Sequence, residues 1–323
     1  MGTSPEERTT PITPVIGVVR FCVCVPARDE AAHLPILLDA LAQQDLPGRV
    51  RVAISLNNTT DGSAAAISAA GSRWASRLLI HTSSVTFPAS RAHAGSARRH
   101  AMELGASMLE HDDTAILIST DADARPPADW VRSNLEAIAE GADIVGGRLE
   151  IDDREPVPEA MARGRRLWDD YWTRVRAIED EIDPMSWDPA PRHGDHTGAS
   201  LAMRIRTWRL AGGVPEIPCG EDRALVLAAR QIGARVSHPQ TVWTRVSPRT
   251  LGRAEGGMAA HLQAMSQALY AGEHLTAPGL DQWRARALWR RRERVRLGSG
   301  VHKAEAMLPP MLADLRLDAL EAA

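Results

Sequence analysis

Over residues 18–125 the apolar positions fall in short continuous runs, each closed by a polar turn and followed by apolar residues at helical spacing. "VVRFCVCVPA" reads as a strand broken by Pro26, and "LPILLDALAQQ" sets Leu34, Leu37, Leu38 and Leu41 on one helix face. "RVRVAISL" predicts a second strand ending in the turn "NNTTDGS"; an alanine-rich helix and a strand "RLLIHT" come next. "ASRAHAGSARRHAMELGASML" reads as a helix, and "DTAILIST" as a strand that stops on Asp121 and Asp123. Strands alternating with helices imply right-handed βαβ units and a mostly parallel sheet. In such sheets ligands bind beyond the carboxyl ends of the strands, which is where the turns after residues 25, 56 and 120 fall.

The second half is less regular. "DWVRSNLEAIAEG" predicts a helix, "ADIVGGRLEI" one strand, and "EAMARGRRLWDDYWTRVRAIEDEI" a long helix with Leu167, Trp168, Tyr171, Trp172 and Val175 on one flank. The irregular "DPMSWDPAPRHGDHTGAS" leads to a short strand "SLAMR". The helix "GEDRALVLAARQIG" and an amphipathic helix carrying Met258, Leu262, Met265 and Leu269 complete the pattern. The expected organisation is a leader over 1–17, read as disordered and without a signal-peptide core, a main domain over 18–250 and a helical extension over 251–323.

Composition narrows the function. The chain of 323 residues has 38 Lys and Arg against 41 Asp and Glu, a net charge of −3 that argues against nucleic-acid binding by bulk electrostatics. No apolar stretch approaches the roughly 20 residues of a membrane span. Three cysteines make no disulfide framework and suit a reducing, cytoplasmic setting; Cys22 and Cys24 are expected on opposite faces of their strand. The run "WRARALWRRRERVRLG" has seven arginines against one acid. It reads as a solvated helix whose tryptophans pack on the domain, with weak peripheral contact to the inner membrane face as the alternative.

"VCVPARDEAAHL", "NNTTDGS", "STDADA", and "HTGASLAMR" followed by "GEDRAL" stand in an order that resembles family 2 glycosyltransferases of the GT-A fold. The resemblance spans about residues 20–250 and implies that 18–250 is a catalytic domain, with 18–125 as its donor-nucleotide half and 126–250 as its acceptor half. It implies a Rossmann-like α/β domain that moves a sugar from a nucleotide-diphosphate donor to a hydroxyl acceptor, with inversion; a retaining transferase or an inactive sugar-nucleotide-binding protein is the alternative. Pro26, Arg28, Glu30, Asn57, Gly95, Arg98 and Asp121 would then line the donor. Asp123 with Asp121 would hold Mn²⁺ or Mg²⁺, which takes few protein carboxylates and lets phosphates complete its shell. Read without the resemblance, Asp121 or Asp123 caps a helix beginning near Pro126.

The same resemblance makes Asp222 the general base and Glu221 its neighbour, both at the positive end of a helix, with His196 and Gly198 facing the acceptor. Asp29 reads as a helix cap and Asp61-Gly62-Ser63 as turn chemistry. Two positions depart from the family. Asn57 stands where an acid commonly reads uracil, and its amide leaves the base open because it can both donate and accept. The late segment "VWTRVSPRT" lacks the histidine that serves many such enzymes as a metal ligand; it carries Arg245 and Arg249, and His238 lies upstream. The lack of a G-x-G-x-x-G after the first strand argues against a dehydrogenase.

Overall fold

Pro26 sits inside a central strand, where a residue without an N–H should not fit, and the sheet shows why it does. In the computed structural model, which describes residues 19–250, 252 and 257–321, β1 (Phe21–Ala27) lies between β2 (Val50–Asn57) and β4 (Ile116–Ser119). Pairing of β1 with β4 ends at Cys24↔Ser119, while pairing with β2 continues through Pro26↔Ser55. Cys24 turns its carbonyl toward Thr120, so by strand parity Pro26 faces the same side, where the ladder has opened. The two strands part there, and a cleft begins.

The first half follows the predicted alternation: α1 (Leu34–Ala42), α2 (Ser63–Arg73), β3 (Leu78–Val85) and α3 (Ala94–Met108) connect the strands named above. Beyond β4 come β5 (Ala124–Arg125), α4 (Trp130–Ala139), β6 (Ile144–Gly146), β7 (Arg148–Ile151) and α5 (Glu159–Ile182). Then follow β8 (Leu201–Arg204), α6 (Ile205–Leu210), α7 (Glu221–Gln231), β9 (Val236–Ser237) and β10 (Trp243–Val246). The main sheet has the order β3-β2-β1-β4-β8-β6-β9, parallel except for β8, which opposes both neighbours. The order reverses between β1 and β4, the switch point at which such sheets bind ligands.

Helices cover both faces. Val23 and Val25 of β1 pack with Leu34, Leu37, Leu38 and Leu41 of α1 and Trp130 of α4. The opposite face joins Cys22 and Cys24 to Ala101 and Met102 of α3 and Leu225 of α7. The two thiols therefore share one face, both turned toward Gly105, and not opposite faces as expected. A two-residue step in a strand returns the side chain to the same side.

The expected strand 142–151 is two strands in two sheets. β6 joins the main sheet, and β7 joins a small sheet of order β5-β10-β7. A β-carbon at Gly146 would collide with the Asp195 carbonyl and one at Gly147 with Ser200 Oγ, so the crossover needs both glycines. The small sheet bridges Asp123 to the late segment, since β5 follows Asp123 directly and pairs with β10.

The helical extension, α8 (Met258–Tyr270), β11 (Thr276–Ala277), α9 (Leu280–Leu297), α10 (Val301–Ala306) and β12 (Leu315–Arg316), packs against α5. Arg290 and Arg294 of α9 reach Asp183 at 3.0 and 2.7 Å, and Arg290 also reaches Glu179 at 2.9 Å. Arg284, Arg286, Arg291, Arg292 and Arg296 each have a protein partner too. Trp283 donates to the Tyr171 hydroxyl. The basic run is thus a helix clamped to the domain. Among the described residues no helix is long and apolar enough to cross a membrane. The expected leader lies outside the described residues.

Candidate active site

One cavity of about 540 Å³ opens at the parting of β1 and β4, a size ordinary for a small-ligand site. Pro26, Arg28 and Glu30 line it from the end of β1, Asn57 from β2, and Asp121 and Asp123 from the turn after β4. Arg98 of α3, Gly198 of the loop before β8, and Glu221 and Asp222 of α7 close the other side. The two predicted halves of the site are in one cleft.

Loops 28–31 and 59–63 brace each other. Asp29, in the left-handed region at φ 53°, accepts from Thr60 N at 2.8 Å. Its expected role as a helix cap is thereby corrected, since α1 starts at Leu34 behind His33. Asp61 accepts from Ser63 N and Ala31 N, and Ser63 Oγ accepts from Glu30 N at 2.9 Å. This fixes Glu30 beneath the cleft. Asn57 is buried, and its amide has no side-chain partner among the described residues, so its donor and acceptor are open to a ligand. Arg28 Nη1 donates to Ala92 O at 3.4 Å.

Arg98 is the hub of the site. Its Nε donates to Glu221 Oε1 at 2.9 Å, Nη1 to Ser119 Oγ at 2.8 Å and Gly198 O at 2.9 Å, and Nη2 to Asp121 Oδ1 at 2.9 Å. Four of the five N–H groups of the guanidinium are therefore used within the protein. Burial works against its charge, but Asp121, Glu221 and Asp222 more than offset this and raise its pKa. A β-carbon at Gly198 would collide with the Arg98 guanidinium, so a glycine is required there.

Asp121 and Asp123 do not cap a helix: α4 begins only at Trp130. Asp123 Oδ2 lies 2.9 Å from Arg249 Nη2, and that nitrogen also lies 2.8 Å from Glu30 Oε1. Burial pushes the Asp123 carboxyl up to about 6, against the pull of Arg249. Asp121 Oδ2 and Asp123 Oδ1 have no partner among the described residues. Nor do the described residues contain a group of three His, Cys, Asp or Glu able to hold a metal. Two hard carboxylate oxygens facing a cleft fit Mg²⁺ or Mn²⁺ if a ligand's phosphates complete the shell, and not a cation held by protein alone.

Gly220, at φ 76°, turns the chain into α7 in a conformation that favours glycine. Glu221 and Asp222 then occupy its first turn, where the helix dipole favours anions. Glu221 is buried and paired with Arg98. Asp222 is less covered; its Oδ2 accepts from Gly198 N at 2.8 Å and its Oδ1 from Arg223 N at 2.7 Å.

Two residues expected in the site do not line this cavity. Gly95 does not line the cavity; a β-carbon there would lie 2.5 Å from Ile217 O and 2.6 Å from Pro215 O, so it lets α3 approach the 215–217 loop. His196 lies outside the lining, with Nδ1 3.0 Å from Gly194 O and 3.4 Å from His238 Nε2. His238 is buried against Asp188, with Nδ1 2.8 Å from Oδ2. Burial holds His196 down at about 3 and His193 at about 4, both neutral. Of the two late arginines, Arg249 reaches the cleft and Arg245 stacks on Trp243.

Sequence reasoning missed His93 and His261, which line the cavity. His93 precedes α3 and accepts from Ser96 N, a capping role that a histidine seldom signals.

The sequence model for glycosyl transferase family 2 matches residues 22–190, more than half of the chain. Among solved structures, the mannosyltransferase PcManGT from Pyrobaculum calidifontis, in complex with GDP-Man and Mn2+, gives a TM-score of 0.51 at 19% identity. It covers 98% of this chain and 82% of that one. TarS of S. aureus gives 0.50 at 15% identity over 85% of this chain, which spans 44% of TarS. At these identities the likeness is one of fold. No curated protein matches the chain.

Proposed function

The chain belongs to glycosyl transferase family 2, and from that premise we propose that its cleft transfers a sugar from a nucleotide-diphosphate donor to a hydroxyl acceptor with inversion. One observation carries the reading: Arg98 ties the donor-side carboxylate Asp121 to Glu221, beside Asp222, within a single cavity. A donor site and a base site are useful together only if a bond is made between their ligands.

The roles follow from exposure and partners. Residues 18–125 supply the donor half: Pro26 and Arg28 flank the nucleotide, and Asn57 reads the base with its open amide. Glu30 orients Arg249. Asp121 and Asp123 would hold Mn²⁺ or Mg²⁺ through their outward oxygens. When bound, such a cation supplies positive charge against the leaving diphosphate. Residues 126–250 supply the acceptor half. Asp222 takes the proton of the acceptor hydroxyl as its oxygen attacks the anomeric carbon. Gly198 N and Arg223 N fix the Asp222 carboxylate and leave lone pairs on both oxygens for that proton. Arg98, with one N–H uncommitted, is a positioning residue more than a ligand of the base. Cys22 and Cys24, buried and outside any disulfide, suit a cytoplasmic setting.

The test is turnover of Asp222→Asn with a panel of nucleotide sugars, alongside donor binding. A general base is worth about 10²–10⁴-fold in rate. We expect that loss with donor affinity retained. A folded variant turning over at the wild-type rate would remove Asp222 as base and leave the retaining mechanism.

A further inference from the structure

Arg249 lies 219 positions from Glu30 in sequence, yet grips it with both terminal nitrogens, at 3.0 Å to Oε2 and 2.8 Å to Oε1. The same Nη2 reaches Asp123 Oδ2 at 2.9 Å. One guanidinium thus serves two carboxylates in the cleft, and one of them belongs to the pair assigned to the metal. We propose that Arg249 excludes a divalent cation from the free enzyme, so that metal and nucleoside diphosphate enter together. The inference rests on the reading that Asp121 and Asp123 hold the cation.

The geometry gives the reason. A dication bound at Asp123 would face the positive charge of Arg249 across a few ångströms in a partly desolvated site, where repulsion is much stronger than in water. Arg249 can yield Asp123 without being released, because the fork to Glu30 remains. The freed edge of the guanidinium suits a diphosphate, which arginine binds through paired N–H groups. The incoming phosphates then bring the anionic charge that lets metal and arginine share the cleft. If Arg249 leaves Asp123 in only one molecule in ten, metal alone binds about tenfold more weakly than the bare carboxylates would allow.

The experiment measures Mn²⁺ uptake by electron paramagnetic resonance on wild type, Arg249→Met and Arg249→Lys, each alone and with UDP or GDP. In Arg249→Met, Mn²⁺ alone should bind about tenfold tighter, while diphosphate affinity in the presence of Mn²⁺ should fall about tenfold. Arg249→Lys should be intermediate for Mn²⁺ alone, since one ammonium cannot hold both carboxylates in that geometry; it answers the question if the Met variant fails to fold. The proposal is overturned if folded variants bind Mn²⁺ alone no better than wild type while wild type takes up Mn²⁺ with diphosphate. If no protein takes up Mn²⁺ even with diphosphate, the metal reading itself fails, and this proposal with it.

Discussion

Arg98 and Glu221, 123 positions apart, form a buried ion pair of 2.9 Å that joins the helix after β3 to the helix carrying the candidate base. Removing one partner of such a pair strands the other charge in low dielectric, at a cost of about 3–5 kcal/mol. Arg98→Met should therefore unfold at clearly lower urea than wild type. A variant of unchanged stability would mean that Glu221 finds another partner.

Gly95 gives a sharper contrast. Gly95→Ala must push back the carbonyls of Ile217 and Pro215, and overpacking of this kind costs about 1–3 kcal/mol. Since Gly95 does not line the cavity, nucleoside diphosphate affinity of the folded variant should match wild type. A selective loss of affinity would restore the diphosphate contact expected from sequence.

The histidines make a pH prediction. His193 and His196 are held neutral by burial, at about 4 and about 3, and burial lowers His238 as well. In the unfolded chain they take up protons near pH 6.5. Between about pH 6.5 and 4 the unfolded state then binds more protons, so stability falls as pH falls. Melting temperature should drop across that window, and His196→Gln should flatten part of the slope. A melting temperature flat from pH 7 to 5 would contradict the buried neutral assignment.

The clamp on the extension is also testable. Glu179 is buried among Arg176, Arg192 and Arg290. Glu179→Gln leaves three guanidinium groups short of a counter-charge and should destabilise the protein by about 3–5 kcal/mol, read by chemical denaturation. A loss below about 1 kcal/mol would mean that Asp180, Asp188, Asp183 and Glu305 suffice for Arg192 and Arg290.

These pairs show what was legible in the sequence and what was not. The apolar runs of β1, β2 and β4 and the leucine spacing of α1 are local patterns, and their strand ends place Arg28, Asn57 and Asp123 in one cleft as expected. β5 and β9 have two residues each and carry no period to read. The break between β6 and β7 rests on two glycines whose need arises from a distant loop. Arg98 looked like one arginine on a helix face, and only the fold brings Ser119, Asp121, Gly198 and Glu221 around it. His196 looked available in a polar loop but is taken up by a histidine pair anchored on Asp188.

On the proposed assignment, Asp121 and Asp123 face a nucleotide-diphosphate site and Asp222 faces the acceptor. Calorimetry of UDP and GDP with Mn²⁺ on wild type, Asp123→Asn, Asp121→Asn and Asp222→Asn tests it most directly. Saturable, Mn²⁺-dependent binding is expected for wild type and for Asp222→Asn, with the largest loss in Asp123→Asn. Equal affinity in wild type and Asp123→Asn, or no binding of either diphosphate to wild type, would contradict it.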